Sequence, residues 1–414
     1  MHDRIPARAI WALGVTQIVG YGTLYYSFSV LAPEIGRAFG WSPEWVYGAL
    51  AVALLAGGFL SPVAGMLAER FGAARTMAVG SVAAAVTLAA AGLSPNGTVY
   101  AVSLIAMEVA SCLVLYAAAF SALVQQGGRG AQRSITHLTL IAGFASTLFW
   151  PFTSLLLGYM SWHAVYLVFA GLNLLVCAPL HLWLATLPRV DNAVVVDQQA
   201  TGVTVPSTGT LDGRNRMLGF GLMMLGFAIE GFILSAVLLQ VIPILTGIGL
   251  GGGTLLVTSL FGPSQVLGRL ANMVFGKNAS STRVAIIAAA LLPLGAFVLA
   301  VTAPLLPGAV AFAILFGLGA GLVSIVSGSL PLQLLGRERY ASRLGWLSSA
   351  RQIASAVSPF CLALIMGAVG VSGALWSIAL LGVVSVAAFA VIAMLQTTTP
   401  SRLVTREGAT EAQP

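Results

Sequence analysis

The sequence has 414 residues, of which 58% are apolar or aromatic and only 7% are charged, and its formal net charge is +7. A soluble domain carries about 25% charged residues, so this composition excludes an ordinary soluble protein and predicts an all-α membrane protein. The basic residues alternate with apolar runs, which is typical of membrane topology and argues against a nucleic-acid partner. Twelve spans of about 22 residues would leave about 150 residues outside the membrane, too few for a separate catalytic domain.

Twelve apolar runs follow one another along the chain, each close to the ~20 residues that cross a bilayer. The first is too long for the apolar region of a signal peptide, so it is kept as span 1. The predicted spans are residues 10–33, 45–68, 76–93, 98–123, 134–158, 163–187, 217–242, 254–276, 284–303, 308–335, 344–368 and 372–396. They predict a six-helix bundle at 1–187, a polar linker at 188–216, a second six-helix bundle at 217–396 and a tail at 397–414.

The distribution of basic residues predicts the orientation in the membrane. If the N-terminus is inside, 16 basic residues lie in inner loops and tails, and Arg37 alone lies in an outer loop. A positive-inside bias of this size predicts that both termini and the linker are cytoplasmic. Abundant arginine, alanine and glycine, with Lys277 as the one lysine, favour a bacterial source and hence an inner-membrane location.

The two halves share features at a nearly constant separation. The matching pairs are Arg129 and Arg133 with Arg339 and Arg343 (separation 210), Arg75 with Arg283 (208), and Pro151-Phe152 with Pro359-Phe360 (208). Matching loops and spans at one separation indicate a duplicated six-helix unit. Transporters of this design place their substrate site at the interface of the two repeats.

The loop between spans 2 and 3 reads Gly65-Met-Leu-Ala-Glu69-Arg70-Phe-Gly72-Ala-Ala-Arg75. It resembles the signature loop of the major facilitator superfamily, Gly-x-Leu-Ala-Asp-Arg-x-Gly-Arg-Arg/Lys, with glutamate in place of aspartate. The resemblance implies two pseudo-symmetric bundles and a gating role for this loop, in which Gly65 permits close helix approach and Glu69 and Arg70 make helix-end contacts. The predicted gating residues are Gly65, Glu69, Arg70, Gly72, Arg75, Arg129, Arg133, Arg339 and Arg343.

Two other stretches resemble monocarboxylate and oxalate/formate-type porters of that superfamily. They are Phe39-Gly40-Trp41-Ser42 before span 2 and Gly268-Arg269 in span 8. An alternative alignment, at a separation of 203, matches Gly268 with Gly65 and would place Arg269 in a degraded gating loop. The separation of 208, which other pairs share, places Arg269 inside the membrane instead.

Four charged residues fall inside predicted spans: Glu108 in span 4, Glu230 in span 7, Arg269 in span 8 and Arg351 in span 11. Each costs about 2.5–3.5 kcal/mol to insert, so each is expected to face a partner or a water-filled cavity. In the superfamily that the chain resembles, these spans line the central pathway. The two arginines suit a carboxylate or a phosphate, and an internal ion pair between Glu230 and Arg351 is the alternative.

Other polar residues complete the candidate site. Gln17, Tyr21 and Tyr25 recur every four residues on span 1 and are predicted to line the substrate site, with packing between helices as the alternative. Glu108 is a candidate proton-coupling group because a buried carboxyl can bind and release a proton. A structural hydrogen-bonding role is the alternative for that residue.

These features predict a secondary active transporter that moves a small organic anion, similar to a monocarboxylate, by alternating access, with protons as candidate coupling ions. The alternative is an exporter of drugs or other toxic compounds, although span 5 lacks the Gly-Pro-x-x-Gly-Gly signature common in drug antiporters. A membrane enzyme is disfavoured because no nucleotide loop, metal cluster or nucleophile–base set is visible, so no cofactor or metal is expected. The expected partners are the substrate, protons and the lipid bilayer, and no oligomer is required.

The orientation gives the first testable prediction. Reporter fusions in the linker (188–216) and after the last span should report a cytoplasmic location, because the basic loops flank these segments. A fusion in the loop between spans 1 and 2 serves as the control and should report the opposite side. A periplasmic signal from the linker would contradict the predicted topology.

Overall fold

The computed structural model describes residues 6–127, 130–188, 209–276 and 279–398. Within these ranges the chain folds into twelve helical spans, as the sequence predicts, in two bundles of six. In the first bundle the helical segments are Ala7–Tyr21, Gly22–Tyr26 and Ser27–Phe39 (span 1), Pro43–Leu67 and Ala68–Gly72 (span 2), Ala73–Gly92 (span 3), Gly97–Val114 and Tyr116–Gln126 (span 4), Ala131–Ala142 and Ala145–Tyr159 (span 5), and Trp162–Leu172, Asn173–Cys177 and Ala178–Ala185 (span 6).

The second bundle has longer uninterrupted helices. Its segments are Gly213–Gly247 (span 7), Gly251–Gly253 and Thr254–Phe275 (span 8), Ser281–Thr302 (span 9), Leu306–Leu335 (span 10) and Tyr340–Thr398, which contains spans 11 and 12. Spans 11 and 12 separate at Gly370, whose φ of 75° only glycine adopts readily. The first predicted span is too short, because the helix continues through Pro33 to Phe39. The helix of span 7 begins at Gly213, so it includes the last residues of the predicted linker.

Eight of the described helices are long and apolar enough to cross a membrane, and two of them, Pro43–Gly92 and Tyr340–Thr397, each contain two spans. Spans 1 and 8 are not among these eight. Both carry buried polar side chains within the predicted span, such as Gln17 in span 1 and Arg269 in span 8.

The first bundle interrupts its helices where it lines the molecular centre. Span 1 contains a π-helical segment at Gly22–Tyr26, and span 4 breaks at Leu115, which has extended backbone angles. The side chain of Gln17 donates a hydrogen bond of 2.7 Å to the Val114 carbonyl next to this break. Such a bond is needed because backbone groups in a membrane have no water to bind.

Matching hydrogen bonds support the duplication at a separation of 208 residues. The Gln125 side-chain oxygen accepts a bond of 2.8 Å from the Ala73 N–H at the start of span 3. The Gln333 side-chain oxygen accepts one of 2.6 Å from the Ser281 N–H at the start of span 9. Gln333 follows Gln125 by 208 residues, and Ser281 follows Ala73 by the same number. Each bundle therefore joins the start of its third span to the end of its fourth span by the same bond.

The two bundles meet mainly on one side of the molecule, which we call the basic end: the end where spans 2–3, 4–5, 8–9 and 10–11 are joined. The contacts between bundles concentrate on the basic-side halves of spans 4 and 5, at Tyr116–Gln126 and Ala131–Ala142, and on span 2 against span 11. The other halves of spans 4 and 5 pack mainly within the first bundle. The interface is thus closed at the basic end.

Small residues permit this closure. A β-carbon at Gly65 would lie 2.5 Å from the Ala341 carbonyl oxygen, and one at Gly345 would lie 2.7 Å from the Ser61 carbonyl oxygen. Such distances allow only glycine, so spans 2 and 11 cross in backbone contact.

The close approach at Gly65 gives the second prediction. Gly65→Val should force the basic ends of spans 2 and 11 apart, because its side chain would collide with the Ala341 backbone. Overpacking of this kind costs about 1–3 kcal/mol, so we expect a roughly tenfold faster alkylation of a single cysteine introduced as Ala341→Cys, with the native cysteines replaced by alanine. Gly48→Val is the matched control, since the same helix leaves open space around Gly48. Equal alkylation rates in both variants would contradict this role of Gly65.

Candidate functional site

The predicted gating loop makes a direct contact between the bundles. The Glu69 carboxylate accepts hydrogen bonds from the backbone N–H groups of Ala341 (3.0 Å) and Ser342 (3.4 Å). These residues form the first turn of span 11, which begins at Tyr340. A carboxylate at a helix N-terminus satisfies free N–H groups and interacts favourably with the helix dipole. Glu69 therefore caps a helix of the other bundle, and this cap exists only while the basic end is closed.

Other bonds at the basic end also cross between bundles. The Arg337 guanidinium donates to the Gly127 carbonyl at the end of span 4. The Gln132 amide donates to the Ser281 hydroxyl at a distance of 2.8 Å. Neither Arg337 nor Gln132 is among the predicted gating residues.

The other predicted gating residues lie near this contact but play different structural roles. Arg70 lies over the ring of Phe71, 5.2 Å from its centroid, and Gly72 has a φ of 93° that favours glycine. Arg343 donates a bond of 2.8 Å to the Leu335 carbonyl within its own bundle. Arg70, Arg75, Arg133 and Arg339 are exposed. Arg129 lies outside the described residues.

Arg269 lies buried between the bundles, at 5% exposure. Its Nε donates a hydrogen bond of 3.0 Å to the Ser324 hydroxyl of span 10. Its guanidinium contacts Gly143, at the interruption of span 5. A β-carbon at Gly143 would occupy the place of one guanidinium nitrogen. Arg269 is thus fixed by its own bundle and packed against the other.

Arg351 is in a different environment. Its aliphatic stem packs on Gly231 of span 7, where a β-carbon would lie 2.6 Å from the Arg351 Cγ. Within the described residues its guanidinium makes neither a hydrogen bond nor a salt bridge. Its nitrogen atoms are also not among the fully buried polar atoms that lack a partner. The Arg351 guanidinium is therefore partly exposed, and the tyrosines of the first bundle are within its electrostatic range.

The predicted ion pair between Glu230 and Arg351 does not form as a direct contact. The two groups interact electrostatically, but the described residues contain no salt bridge between them. Glu230 is 1% exposed, and neither of its carboxyl oxygens has a hydrogen-bond partner. Among the described residues, the Arg351 guanidinium is thus not held by a hydrogen bond to Glu230.

Four tyrosines of the first bundle face these arginines. We call Tyr21, Tyr25, Tyr26 and Tyr116 the tyrosine cluster. The ring centroids of Tyr21 and Tyr116 are 4.6 Å apart, and those of Tyr25 and Tyr26 are 5.3 Å apart. Trp150 lies edge-on to Tyr26 at 5.9 Å, and its indole N–H donates a bond of 3.2 Å to the Tyr26 carbonyl. The cluster is a continuous aromatic surface.

The tyrosine cluster and the two arginines belong to one site. Arg351 interacts electrostatically with Tyr21, Tyr25 and Tyr116. Arg269 interacts in the same way with Tyr26 and Tyr116. Aromatic rings from one bundle and guanidinium groups from the other therefore lie close enough to interact across the interface.

Glu108 reaches the same region from span 4. It is 4% exposed and interacts electrostatically with Tyr25. The Ser111 hydroxyl approaches one of its carboxylate oxygens at 3.4 Å, a long hydrogen bond. Of the four intramembrane charges, Glu108 is the one contributed by the first bundle.

The structure thus brings together Tyr21, Tyr25, Glu108, Arg269 and Arg351 of the predicted site. Gln17 is different, since it is fully buried and its amide N–H is bonded to the Val114 carbonyl. The sequence reasoning missed Tyr26, Tyr116 and Trp150. A repeat of four residues assumes α-helical geometry, whereas the π-helical segment at Gly22–Tyr26 shifts the register and turns Tyr26 towards the centre as well.

Comparison with known proteins gives one family. The model of the Major Facilitator Superfamily matches residues 13–359. No curated protein sequence matches the chain. Its fold is similar to that of the human organic anion transporter MFSD10 (TETRAN), with a TM-score of 0.75 and 14% identity over 93% of this chain and 100% of that one.

Two other solved structures have the same fold. The proton:xylose symporter XylE, bound to 6-bromo-6-deoxy-D-glucose, has a TM-score of 0.69 and 13% identity over 96% of this chain and 97% of that one. The transporter FucP in the outward conformation has a TM-score of 0.64 and 14% identity over 94% and 98%. At these identities the structures show a common fold and no more.

The cap at Glu69 gives the third prediction. Glu69→Ala should leave two N–H groups of span 11 without their acceptor, which costs about 1–2 kcal/mol of the closed state. We expect a roughly tenfold larger fraction of molecules with an open basic end, measured by pulsed electron paramagnetic resonance between spin labels on spans 2 and 11. Glu69→Gln keeps one oxygen acceptor and should have a smaller effect.

Glu34→Ala is the control, because Glu34 is exposed and pairs with Arg37 of its own helix. In Glu69→Ala, the affinity for ligand at equilibrium should change much less than the rate at which the basic end opens and closes. A large loss of equilibrium binding with the fold intact would contradict the gating role.

Proposed function

Because the chain belongs to the Major Facilitator Superfamily, we propose that it is a secondary active transporter that moves a small organic anion, similar to a monocarboxylate, across the membrane by alternating access. The family supports membrane transport in general. The anionic substrate is supported by one observation above all: the guanidinium of Arg351 faces the space between the bundles without a salt-bridge partner among the described residues.

Arg351 is a permanent cation inside a membrane span, where an uncompensated charge is costly. The carboxyl group electrostatically coupled to it, Glu230, does not contact it directly. A substrate carboxylate would supply the missing negative charge, and the planar guanidinium would bind it with two parallel hydrogen bonds. The contribution of Arg269 is a second positive charge close to the same space.

The fold relationship adds support at a coarser level. MFSD10 is a human organic anion transporter, and its structure covers nearly the whole of this chain. At 14% identity this is an analogy of fold, so the residues of the site carry the argument.

We further propose that transport is coupled to protons through a carboxyl group of the site, for which Glu108 is the candidate. Glu108 is buried beside the tyrosine cluster and has one long hydrogen bond from the Ser111 side chain. A carboxyl in such a position can bind a proton in one state and release it in another. XylE, a structural neighbour, is a proton:xylose symporter.

The proposed orientation places the basic end in the cytoplasm, with both termini, in a bacterial inner membrane. The closed basic end then corresponds to a state that is open to the outside. Glu69 would release the first turn of span 11 each time the carrier turns inward.

The alternative function is export of drugs or other toxic compounds. The observation that favours it is the tyrosine cluster, since aromatic rings also bind neutral and cationic drugs. The two functions differ in the charge that the substrate must carry.

Substitution of Arg351 gives the fourth prediction. Arg351→Lys should keep the charge but lose the planar fork, so anion affinity should fall roughly tenfold. Arg351→Gln should lose anion binding, measured by thermal stabilisation of the purified protein by carboxylates. Arg37→Gln is the control, because Arg37 is exposed and pairs with Glu34.

The double variant Glu230→Gln with Arg351→Gln separates substrate binding from internal neutralisation. If Arg351 serves only to neutralise Glu230, this variant should fold and still transport anions selectively. Such transport would contradict the substrate role of Arg351. Binding of neutral and cationic drugs in place of carboxylates by the unmodified protein would favour the exporter.

A further inference from the structure

The tyrosine cluster has a feature that ordinary buried tyrosines in this molecule lack. The hydroxyl groups of Tyr100 and Tyr166, which are buried in the first bundle, bond to each other at 2.9 Å. The hydroxyl of Tyr340 donates a bond of 2.8 Å to the Gly328 carbonyl. These three tyrosines satisfy their polar atoms within the fold, as buried phenols usually do.

Tyr25, Tyr26 and Tyr116 behave differently. Within the described residues their hydroxyl groups form no hydrogen bond. The hydroxyl oxygens of Tyr26 and Tyr116 are also not fully buried. Tyr25 is 49% exposed although it lies in the middle of span 1. The cluster therefore combines hydroxyl groups that lack a hydrogen-bond partner with the exposed ring of Tyr25.

The charge across this space comes mainly from one group. Arg269 already bonds to Ser324 and packs against Gly143. Arg351 has its whole guanidinium available and interacts electrostatically with Tyr21, Tyr25 and Tyr116. One open guanidinium opposite an aromatic surface matches a ligand that has one carboxylate on a flat apolar body.

We infer that the transported anion is an aromatic monocarboxylate, whose ring packs on the tyrosine cluster while its carboxylate binds Arg351. This inference rests on the proposed function and narrows its substrate class. Aromatic pairs prefer centroid separations of about 4.5–7 Å in offset or edge-on geometry, and the rings of the cluster already use this range among themselves. A short aliphatic acid would reach Arg351 but would leave the tyrosine rings in contact with water.

Titration calorimetry on the purified full-length protein in detergent tests this inference with four probes: benzoate, cyclohexanecarboxylate, acetate and benzylamine. Benzoate and cyclohexanecarboxylate have the same charge and a similar size, so their ratio isolates the planar ring. Benzoate should bind about tenfold more tightly than cyclohexanecarboxylate, the upper range of an aromatic pair, and acetate should bind more weakly than either. Benzylamine, an aromatic cation, should not bind.

Variants assign the preference to the cluster. Tyr25→Leu should reduce the preference for benzoate over cyclohexanecarboxylate about threefold or more, whereas Tyr25→Phe, which keeps the ring, should retain most of it. Tyr159→Leu is the matched control, since Tyr159 is 82% exposed at the far end of span 5. Cooperative thermal unfolding establishes that each variant is folded.

The outcomes distinguish the two levels of the proposal. If the carboxylates bind equally well and Arg351→Gln abolishes all of them, the aromatic substrate class is wrong and anion transport stands. If benzylamine binds and the carboxylates do not, the anionic function itself is wrong. If benzoate does not bind to the folded protein at millimolar concentration, the inference is overturned.

Discussion

The absence of water in the bilayer core is the constraint on which this structure depends, because every backbone group and every charge within a span needs a partner inside the protein. The fold meets this constraint unequally in its two bundles. Long intact helices form most of the second bundle, whereas the first interrupts spans 1, 4 and 5. The interruptions lie where side chains such as Gln17 can satisfy the freed carbonyl groups. The polar groups of spans 1, 4 and 5 thereby find partners within the protein, while buried polar bonds such as that of Tyr100 with Tyr166 lie inside the first bundle.

The two intramembrane arginines show how the same residue type can serve two purposes. Arg269 has a hydrogen-bond partner in its own bundle and a glycine of the other bundle beneath it. Arg351 has packing for its stem but no acceptor for its guanidinium within the described residues. The first arrangement supports contact between the bundles, and the second is the basis of the anion site proposed above. Position within a span would not have separated them, since both lie on helices that face the centre.

Much of the fold could be predicted from the sequence, because membrane crossing depends on run length and hydropathy, which are local properties. The gating loop could also be placed, since Gly65 and Glu69 stand in a recognisable order and the structure shows both in the closing contact. Only two of the four tyrosines of the site could be predicted from the sequence. Tyr21 and Tyr25 followed an α-helical repeat, but Tyr26 needs a π-helical segment and Tyr116 a break at Leu115, and neither has a clear sequence signal.

The hydrogen bonds at the ends of the helices differ in whether they must be broken during the working cycle. Those of Gln125 and Gln333 join helices of a single bundle, so they travel with it as a rigid body. Those of Glu69 join different bundles, so in the proposed cycle they would be exchanged for water each time the basic end opens. A cap worth about 1–2 kcal/mol corresponds to a population ratio of only about ten between two states at equilibrium. The exchange of this one cap for water is therefore only part of the cost of opening, which also includes the bonds of Arg337 and Gln132 and the helix contact at Gly65.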